Sequence, residues 1–165
     1  MQRMKIKSLT FTSLPKGFTL IELVFVFSII ALLTISSIAA FTAFNKAQVL
    51  QGAVTDVGTM FNTAKSRSLS QVKPSSCGTQ TLQAYRVSIT IATSQYQLSV
   101  VCGTNAYVVE SKTLPSGVTF VAGSATQINY AVSSGTVSTP GTVTINGNGS
   151  NKVITISKTG SISIQ

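Results

Sequence analysis

The sequence predicts an α+β protein in which a long N-terminal helix packs on an antiparallel β-sheet. A largely apolar run, residues 18–44, is followed by apolar residues at three- and four-residue steps as far as Ala64. Beyond Pro74 the pattern changes to short segments in which apolar and polar residues alternate. A helix followed by a series of strands is the element order of an α+β domain, with the helix covering one face of the sheet.

The chain begins with a basic segment, residues 1–17, which is predicted to be a leader. It contains four basic residues and no acidic one, whereas Lys46 is the only charged residue that closely follows the apolar run. Positive charge is preferentially retained on the cytoplasmic side of a membrane. The N-terminus is therefore expected in the cytoplasm and the remainder of the chain outside.

The apolar run 18–44 is long enough to cross a membrane, since about 20 helical residues span the hydrocarbon core. Glu22 is its only charged residue, and neither proline nor glycine interrupts it. The alternative is a conventional cleaved signal peptide, whose apolar region is typically about 7–15 residues long. The length of the run favours a transmembrane helix that remains part of the chain.

Residues 45–73 are predicted to continue the helix with one apolar face. Seven residues form that face: Leu50, Ala53, Val54, Val57, Met60, Phe61 and Ala64. Asp56 falls between them, and Lys65 and Arg67 follow them, as expected when the opposite face of a helix meets water. Pro74 stops the pattern and places the end of the helix near Lys73.

Residues 75–165 are predicted to form the exported antiparallel sheet. Apolar and polar residues alternate over 85–91 and 95–100, and residues 92–94 form the connection of a hairpin. Six more short apolar segments follow, at 107–109, 118–121, 128–130, 143–145, 153–156 and 162–164. Glycine and serine between these segments indicate turns.

Cys77 and Cys102 are the only cysteines, and both lie in the predicted exported domain. A disulfide between them is favoured over two separate buried thiols, because small exported domains use such cross-links in oxidising compartments. Two cysteines in a chain without histidine do not suit a metal site. No metal is expected.

The composition argues against catalysis. The chain has 12 Lys and Arg, three Asp and Glu and no His, for a formal net charge of +9. There is thus no imidazole base, and outside the apolar run the only acids are Asp56 and Glu110, which are far apart in sequence. The sequence predicts a protein that is not an enzyme and needs no cofactor.

Glu22 is the unusual residue of the apolar run. A carboxylate inside a membrane costs free energy unless it lies near the surface or meets a cationic partner. The spacing alone leaves both interpretations open: Glu22 reaches the headgroups of the cytoplasmic face, or it is paired with a positive charge within an assembly.

The segment 16–24, KGFTLIELV, lies between the basic leader and the apolar helix and resembles the class III signal of type IV pilins and type II secretion pseudopilins. The resemblance implies that a prepilin peptidase cleaves between Gly17 and Phe18 and that Phe18 becomes N-methylated. It also implies that the Glu22 carboxylate pairs with the N-terminal amine of a neighbouring subunit. Pairing would relieve the cost of two lone charges in lipid.

The C-terminal part has a resemblance of its own. Residues 114–120 and the segments from Ile128 to Ile164 are similar to H-type minor pseudopilins and FimT-type minor pilins. Many major pilins have a helix-kinking proline where this chain has residues 38–40, IAA. The two resemblances imply a type IV pilin-like fold and a structural subunit of a type IV pilus or a type II secretion pseudopilus. The C-terminal resemblance and the missing proline favour a minor pilin or pseudopilin over a major pilin.

The alternative function is a filament-tip module that captures DNA or a surface. Some FimT-type relatives bind DNA through an arginine-rich motif after a glycine, but residues 160–163, GSIS, contain no arginine. Lys152 and Lys158 are the nearest basic candidates, and a phosphate-binding surface needs clustered charge. Nucleic acid is therefore a possible partner without support in the sequence.

The resemblance implies the remaining partners and the location. The partners are a prepilin peptidase, other pilin or pseudopilin subunits, an assembly platform with its ATPase, and the membrane before assembly. The expected location is the cytoplasmic (inner) membrane, crossed once with the N-terminus in the cytoplasm. In a filament, the exported domain would then lie in the periplasm or at the cell surface.

Overall fold

The N-terminal segment forms one long helix, α1 (Leu20–Leu69), in a computed structural model that describes residues 17–165. The predicted leader, apart from Gly17, lies outside the described residues. The chain divides into two compact units, Met1–Phe41 and Thr42–Gln165. The predicted α+β fold, with a helix packed on antiparallel strands, is confirmed.

Eight strands follow the helix in the described chain. They are β1 (Leu82–Thr90), β2 (Gln95–Cys102), β3 (Asn105–Thr113), β4 (Val118–Phe120), β5 (Gln127–Ala131), β6 (Gly141–Gly147), β7 (Ser150–Ile156) and β8 (Ile162–Ile164). They form two four-stranded antiparallel sheets, in the orders β3-β2-β1-β5 and β4-β6-β7-β8. The strands therefore form two sheets and not the one sheet expected from the sequence. The alternation of apolar and polar residues indicates the two faces of a strand but does not indicate which strands pair with it.

The apolar face predicted on the helix is buried in the core. All seven of its residues, from Leu50 to Ala64, are buried. They share one core with fully buried side chains of both sheets, such as Tyr85 and Leu98 of the first and Ile145 and Ile154 of the second. The helix within the second unit therefore supplies apolar surface that neither sheet has alone.

The helix ends at Leu69, four residues before the predicted end at Lys73. Gln71 takes a left-handed backbone conformation, with φ of 52°, and the Val72 N–H donates to the Arg67 carbonyl at 3.3 Å. A left-handed residue followed by this backward hydrogen bond is the Schellman form of helix termination. Glycine usually marks this form of helix end, so the glutamine at position 71 gave no indication of it in the sequence.

The disulfide favoured by the sequence is present. Cys77 lies in a short 3₁₀ turn, Ser75–Cys77, and Cys102 is the last residue of β2. Their Cα atoms are 5.6 Å apart and both side chains are buried. The bond ties the segment that follows α1 to the end of the first hairpin.

Candidate functional site

The first turn of α1 is capped by Thr19. Residues 17–19 are not helical, and Thr19 Oγ1 accepts a hydrogen bond of 3.3 Å from the N–H of Glu22. The Thr19 carbonyl accepts the N–H of Leu23 at 3.1 Å. This is the first half of a capping box, in which Thr or Ser is followed three residues later by Glu. The T-L-I-E pattern was readable in the sequence and would have placed the helix start.

Capping places Glu22 in the first turn of the helix, where the unpaired N–H groups favour a negative charge. The residue is exposed, and among residues 17–165 no hydrogen bond or ion pair engages its carboxylate. The carboxylate is thus available to a group from another molecule. This is the availability that pairing with a neighbouring subunit requires.

Large apolar side chains surround Glu22 on every side of the helix. Ten of those between residues 18 and 30 are exposed: Phe18, Leu20, Ile21, Leu23, Val24, Phe25, Val26, Phe27, Ile29 and Ile30. Nine of them lie in α1, and five of these, residues 23–27, are consecutive, so the apolar side chains cover the whole circumference of the helix instead of one stripe. A contiguous apolar surface of this extent marks a site of contact with protein or lipid.

The hydroxyl groups of Ser28 and Thr34 do not interrupt this apolar surface. Ser28 Oγ donates to the Val24 carbonyl at 2.6 Å, and Thr34 Oγ1 donates to the Ile30 carbonyl at 2.7 Å. Such bonds satisfy the hydroxyl within its own helix. In the described part of the chain, no helix is both long enough and apolar enough to be assigned as a membrane span. The span predicted over 18–44 stays a prediction.

Gly17 and Phe18, the predicted cleavage pair, lie in the non-helical segment before α1. A Cβ atom added at Gly17 would have no other heavy atom within 4 Å among the described residues. Phe18 is 77% exposed. The fold therefore does not require glycine at position 17, and any requirement for it comes from a partner.

The two basic candidates for DNA binding lie in different elements, and only Lys152 lines a groove. Lys152 lies in β7, and Lys158 lies in the turn after that strand, six residues further on. Six residues of extended strand would place the two positions at most about 20 Å apart. Lys152 instead lines a groove together with Lys46 of α1. The placement gives the DNA-binding alternative no support.

A polar cluster that the sequence did not reveal joins α1 to the first sheet. Asp56 Oδ2 accepts a 2.5 Å hydrogen bond from the Tyr96 hydroxyl, and Asp56 Oδ1 accepts one of 2.8 Å from Lys112 Nζ. Lys112 Nζ also lies 3.4 Å from Glu110 Oε1. The hydrogen bond from Lys112, and then that from Tyr96, lowers the pKa of Asp56, and the bond to Asp56 raises the pKa of Lys112. Sequence separations of 40 and 56 residues hid these pairs.

Comparisons with known proteins found a matching sequence motif and a similar fold. Residues 14–40 match the prokaryotic N-terminal methylation motif. Two solved structures of the minor pseudopilin EpsH, from the type 2 secretion system of Vibrio cholerae, resemble the chain with TM-scores of 0.50 and 0.52.

The two structures are 17% and 16% identical to the chain in sequence. The alignments cover 70% and 72% of this chain, and 95% and 94% of the EpsH chains. At these identities the likeness establishes the fold. No curated protein sequence matches the chain significantly.

Proposed function

We propose that this chain, which belongs to the type IV pilin and pseudopilin superfamily by its methylation motif and its fold, is a structural subunit of a type IV pilus or a type II secretion pseudopilus. The observation that carries the proposal is the N-terminal part of α1, whose large apolar side chains are exposed all round. Lipid would surround this surface before assembly, and the helices of neighbouring subunits would surround it in the filament. The role is packing, without a chemical step.

Within the superfamily, a minor pilin or pseudopilin is the favoured subunit. The similarity of fold to a minor pseudopilin supports it. The sequence of α1 contains no proline, and the kinking proline of many major pilins is therefore missing. A major pilin is the less supported alternative.

Processing would begin at the bond between Gly17 and Phe18, cut by a prepilin peptidase. The methylation motif supports this step. The bond lies before the capped first turn of α1, in a non-helical, exposed segment that a protease can bind. Methylation of the new amino group on Phe18 would follow.

Glu22 would set the axial position of each subunit. An unpaired carboxylate inside an apolar filament core is costly, and so is an unpaired amino terminus, whereas a pair of the two satisfies both charges. The exposed carboxylate, without a partner among residues 17–165, supports this role. The free amine of Phe18 on a neighbouring subunit is the proposed partner.

Before assembly the subunit would reside in the cytoplasmic (inner) membrane, crossing it once with the N-terminus in the cytoplasm. The basic residues before the apolar run support this orientation. An assembly platform and its ATPase would then move the subunit into the filament. The sheet domain would face the periplasm or the cell surface.

Processing and incorporation can be tested by intact-mass spectrometry on membranes and on sheared surface filaments. The expected mass lacks residues 1–17 and carries one added methyl group, with a minor share of the filament protein. An unprocessed chain in cells whose prepilin peptidase is active would refute the proposal. Processed protein confined to membranes would point to a short pseudopilus.

Two variants separate cleavage from assembly. Gly17→Val is expected to fold normally, because position 17 is sterically open, and to keep its leader. Glu22→Gln is expected to be processed but to be depleted from filaments at least tenfold, with Glu110→Gln as the charge-matched control. Equal incorporation of Glu22→Gln and Glu110→Gln would remove the proposed role of Glu22.

A further inference from the structure

A groove lies between residues 43–51 of α1 and the hairpin that joins β6 to β7, entirely within the unit Thr42–Gln165. Its volume is about 520 Å³, within the range of sites that hold small molecules. Four apolar helix residues form one wall: Ala43, Phe44, Ala47 and Leu50. The other wall is the hairpin, residues 147–152.

The hairpin wall is held in place by its turn and by one close contact. Asn148 and Gly149 both have positive φ, 54° and 84°, as a two-residue type I′ turn requires. Gly147 packs so closely on the helix that a Cβ there would come within 3.1 Å of Leu50 Cδ1. The groove is therefore preformed and does not depend on a ligand for its shape.

Two lysines make the groove positive. Lys46 enters it from the helix and Lys152 from β7, and none of the described lining residues is acidic. Within residues 17–165 neither lysine takes part in an ion pair. Two uncompensated ammonium groups beside an apolar wall suit a ligand with a phosphate at one end and hydrocarbon at the other.

The groove starts where the apolar run ends. Phe44 is the last residue of that run, and at 1.5 Å per residue Lys46 lies about 3 Å beyond it along the helix and Gln51 about 10 Å. The headgroup layer on each side of the hydrocarbon core is roughly 5–8 Å thick. The 27-residue run is about 40 Å long, which is about 10 Å more than the hydrocarbon core. If the excess length lies at the cytoplasmic end, where Glu22 is, residues 44–51 cross the headgroup layer, which is where lipid phosphates are found.

We infer that this groove binds one anionic phospholipid from the outer leaflet of the cytoplasmic membrane. The phosphate lies between Lys46 and Lys152, and the glycerol and upper acyl chain lie against Phe44, Ala47 and Leu50. The bound lipid holds the sheet domain at the membrane surface while the subunit awaits assembly. The inference rests on the proposed membrane-anchored stage.

The test is a lipid titration of the processed full-length chain in a neutral detergent, followed by native mass spectrometry. Phosphatidylglycerol should be retained as one equivalent, about 25-fold more tightly than phosphatidylcholine, at about fivefold for each lysine. Lys46→Gln with Lys152→Gln should abolish this preference. Lys73→Gln with Lys158→Gln, which removes the same charge elsewhere, should leave it intact, and circular dichroism checks that both proteins are folded.

Three results would overturn the inference. One is equal retention of the two lipids by the unchanged chain, and another is an equal loss of preference in both double variants. The third is binding of inorganic phosphate or glycerol 3-phosphate as tight as that of phosphatidylglycerol, because the site would then recognise free phosphate instead of lipid.

Filament incorporation, measured separately, distinguishes this inference from the proposed function. A chain that retains phosphatidylglycerol selectively but never enters filaments would refute the subunit role and keep the lipid site. A chain that enters filaments without lipid selectivity would refute the lipid site and keep the subunit role.

Discussion

The Tyr96 hydroxyl donates a 2.5 Å hydrogen bond to Asp56 Oδ2 and so connects β2 to the helix through a carboxylate. Asp56 also accepts a hydrogen bond from Lys112 of β3, one of the two edge strands of the first sheet. Most residues of β3 are exposed, so apolar packing contributes little there. The polar cluster is a direct side-chain contact between this edge of the sheet and α1.

Asp56→Asn should lower the free energy of unfolding by about 1 kcal/mol, because it removes the charge that Lys112 and Tyr96 both contact. Urea unfolding of the processed chain in detergent, followed by circular dichroism, measures the change. Glu110→Gln is the control and should cost less than about 0.5 kcal/mol, since Glu110 makes only the longer contact with Lys112. Equal effects of the two substitutions would contradict the assigned role of Asp56.

The same cluster predicts a loss of stability in acid. The pKa of Asp56 is below its ordinary value of 3.8 in the folded chain, so its contribution is present above pH 4 and is lost as the pH falls through the lower, folded value. Urea unfolding at pH 5, 4, 3 and 2 should show a steeper decline for the unchanged protein than for Asp56→Asn. Parallel declines would mean that Asp56 is not paired in solution.

The disulfide should contribute substantially to the stability of the exported domain. Closing a loop of 25 residues is worth about 3.5 kcal/mol in the chain-entropy account. The double variant Cys77→Ser, Cys102→Ser should unfold at correspondingly lower urea concentration. Dithiothreitol should destabilise the unchanged protein and leave the double variant unaffected; the absence of any effect of the reductant on the unchanged protein would speak against a bond in solution.

Tyr85 and Tyr130 face each other across β1 and β5 and predict opposite results for the same substitution. The Tyr85 hydroxyl donates to the Val72 carbonyl at 2.5 Å, whereas the buried Tyr130 hydroxyl has no partner in the described chain. Tyr85→Phe should cost about 1 kcal/mol, and Tyr130→Phe should be neutral or stabilising by about 1 kcal/mol. Thermal unfolding of the two variants compares them directly, and a cost for Tyr130→Phe as large as that for Tyr85→Phe would reveal a partner.

Burial also raises the pKa of Tyr130 above its ordinary value of 10.0. The neutral phenol is then favoured in the folded state, whereas Tyr130 of the unfolded chain ionises near pH 10. Its ionisation therefore leaves the stability unchanged below pH 10 and lowers the stability as the pH rises above 10. Tyr130→Phe should therefore lose less stability between pH 9 and 11 than the unchanged protein.

Gly160 and Gly149 allow a comparison of how much an added methyl side chain lowers the free energy of unfolding. Both have positive φ, 71° and 84°, so alanine costs about 1 kcal/mol at either position on backbone grounds. A Cβ at Gly160 would also collide with the Gly135 carbonyl oxygen and approach Tyr130, whereas Gly149 has nothing within 4 Å. Gly160→Ala should thus cost about 2–4 kcal/mol in urea unfolding and Gly149→Ala about 1. Equal costs would mean that the close approach at Gly160 relaxes freely.

The periodicity of the helix was the most informative part of the sequence for the fold. Each of the seven residues at three- and four-residue steps is buried, because a helix with one apolar face has only one way to remove that face from water. The strands were equally readable from their alternation. Their division between two sheets was not, since the return of β5 to pair with β1 joins segments some 40 residues apart.

The features of the candidate site also differ in whether they could be predicted from the sequence. The cleavage pair, Glu22 and the apolar run lie within 28 consecutive residues, so one contiguous segment carried the resemblance that pointed to them, and the Thr19–Glu22 capping pattern was readable there as well. The groove and the polar cluster each join residues that are far apart in the chain. For Lys46 and Lys152, more than 100 residues of sequence separate two side chains that line one groove.

The sequence by itself determined the α+β class, the apolar face of α1, the strands and the processing motif, because each depends on neighbours a few residues away. Only the tertiary structure decided the two-sheet arrangement, the end of the helix at Leu69, the Tyr96–Asp56–Lys112 cluster and the lysine-lined groove. These depend on which surfaces meet when the chain folds back on itself. The local sequence pattern indicates on which face of a helix or strand a residue lies, whereas tertiary packing decides which distant residue it contacts.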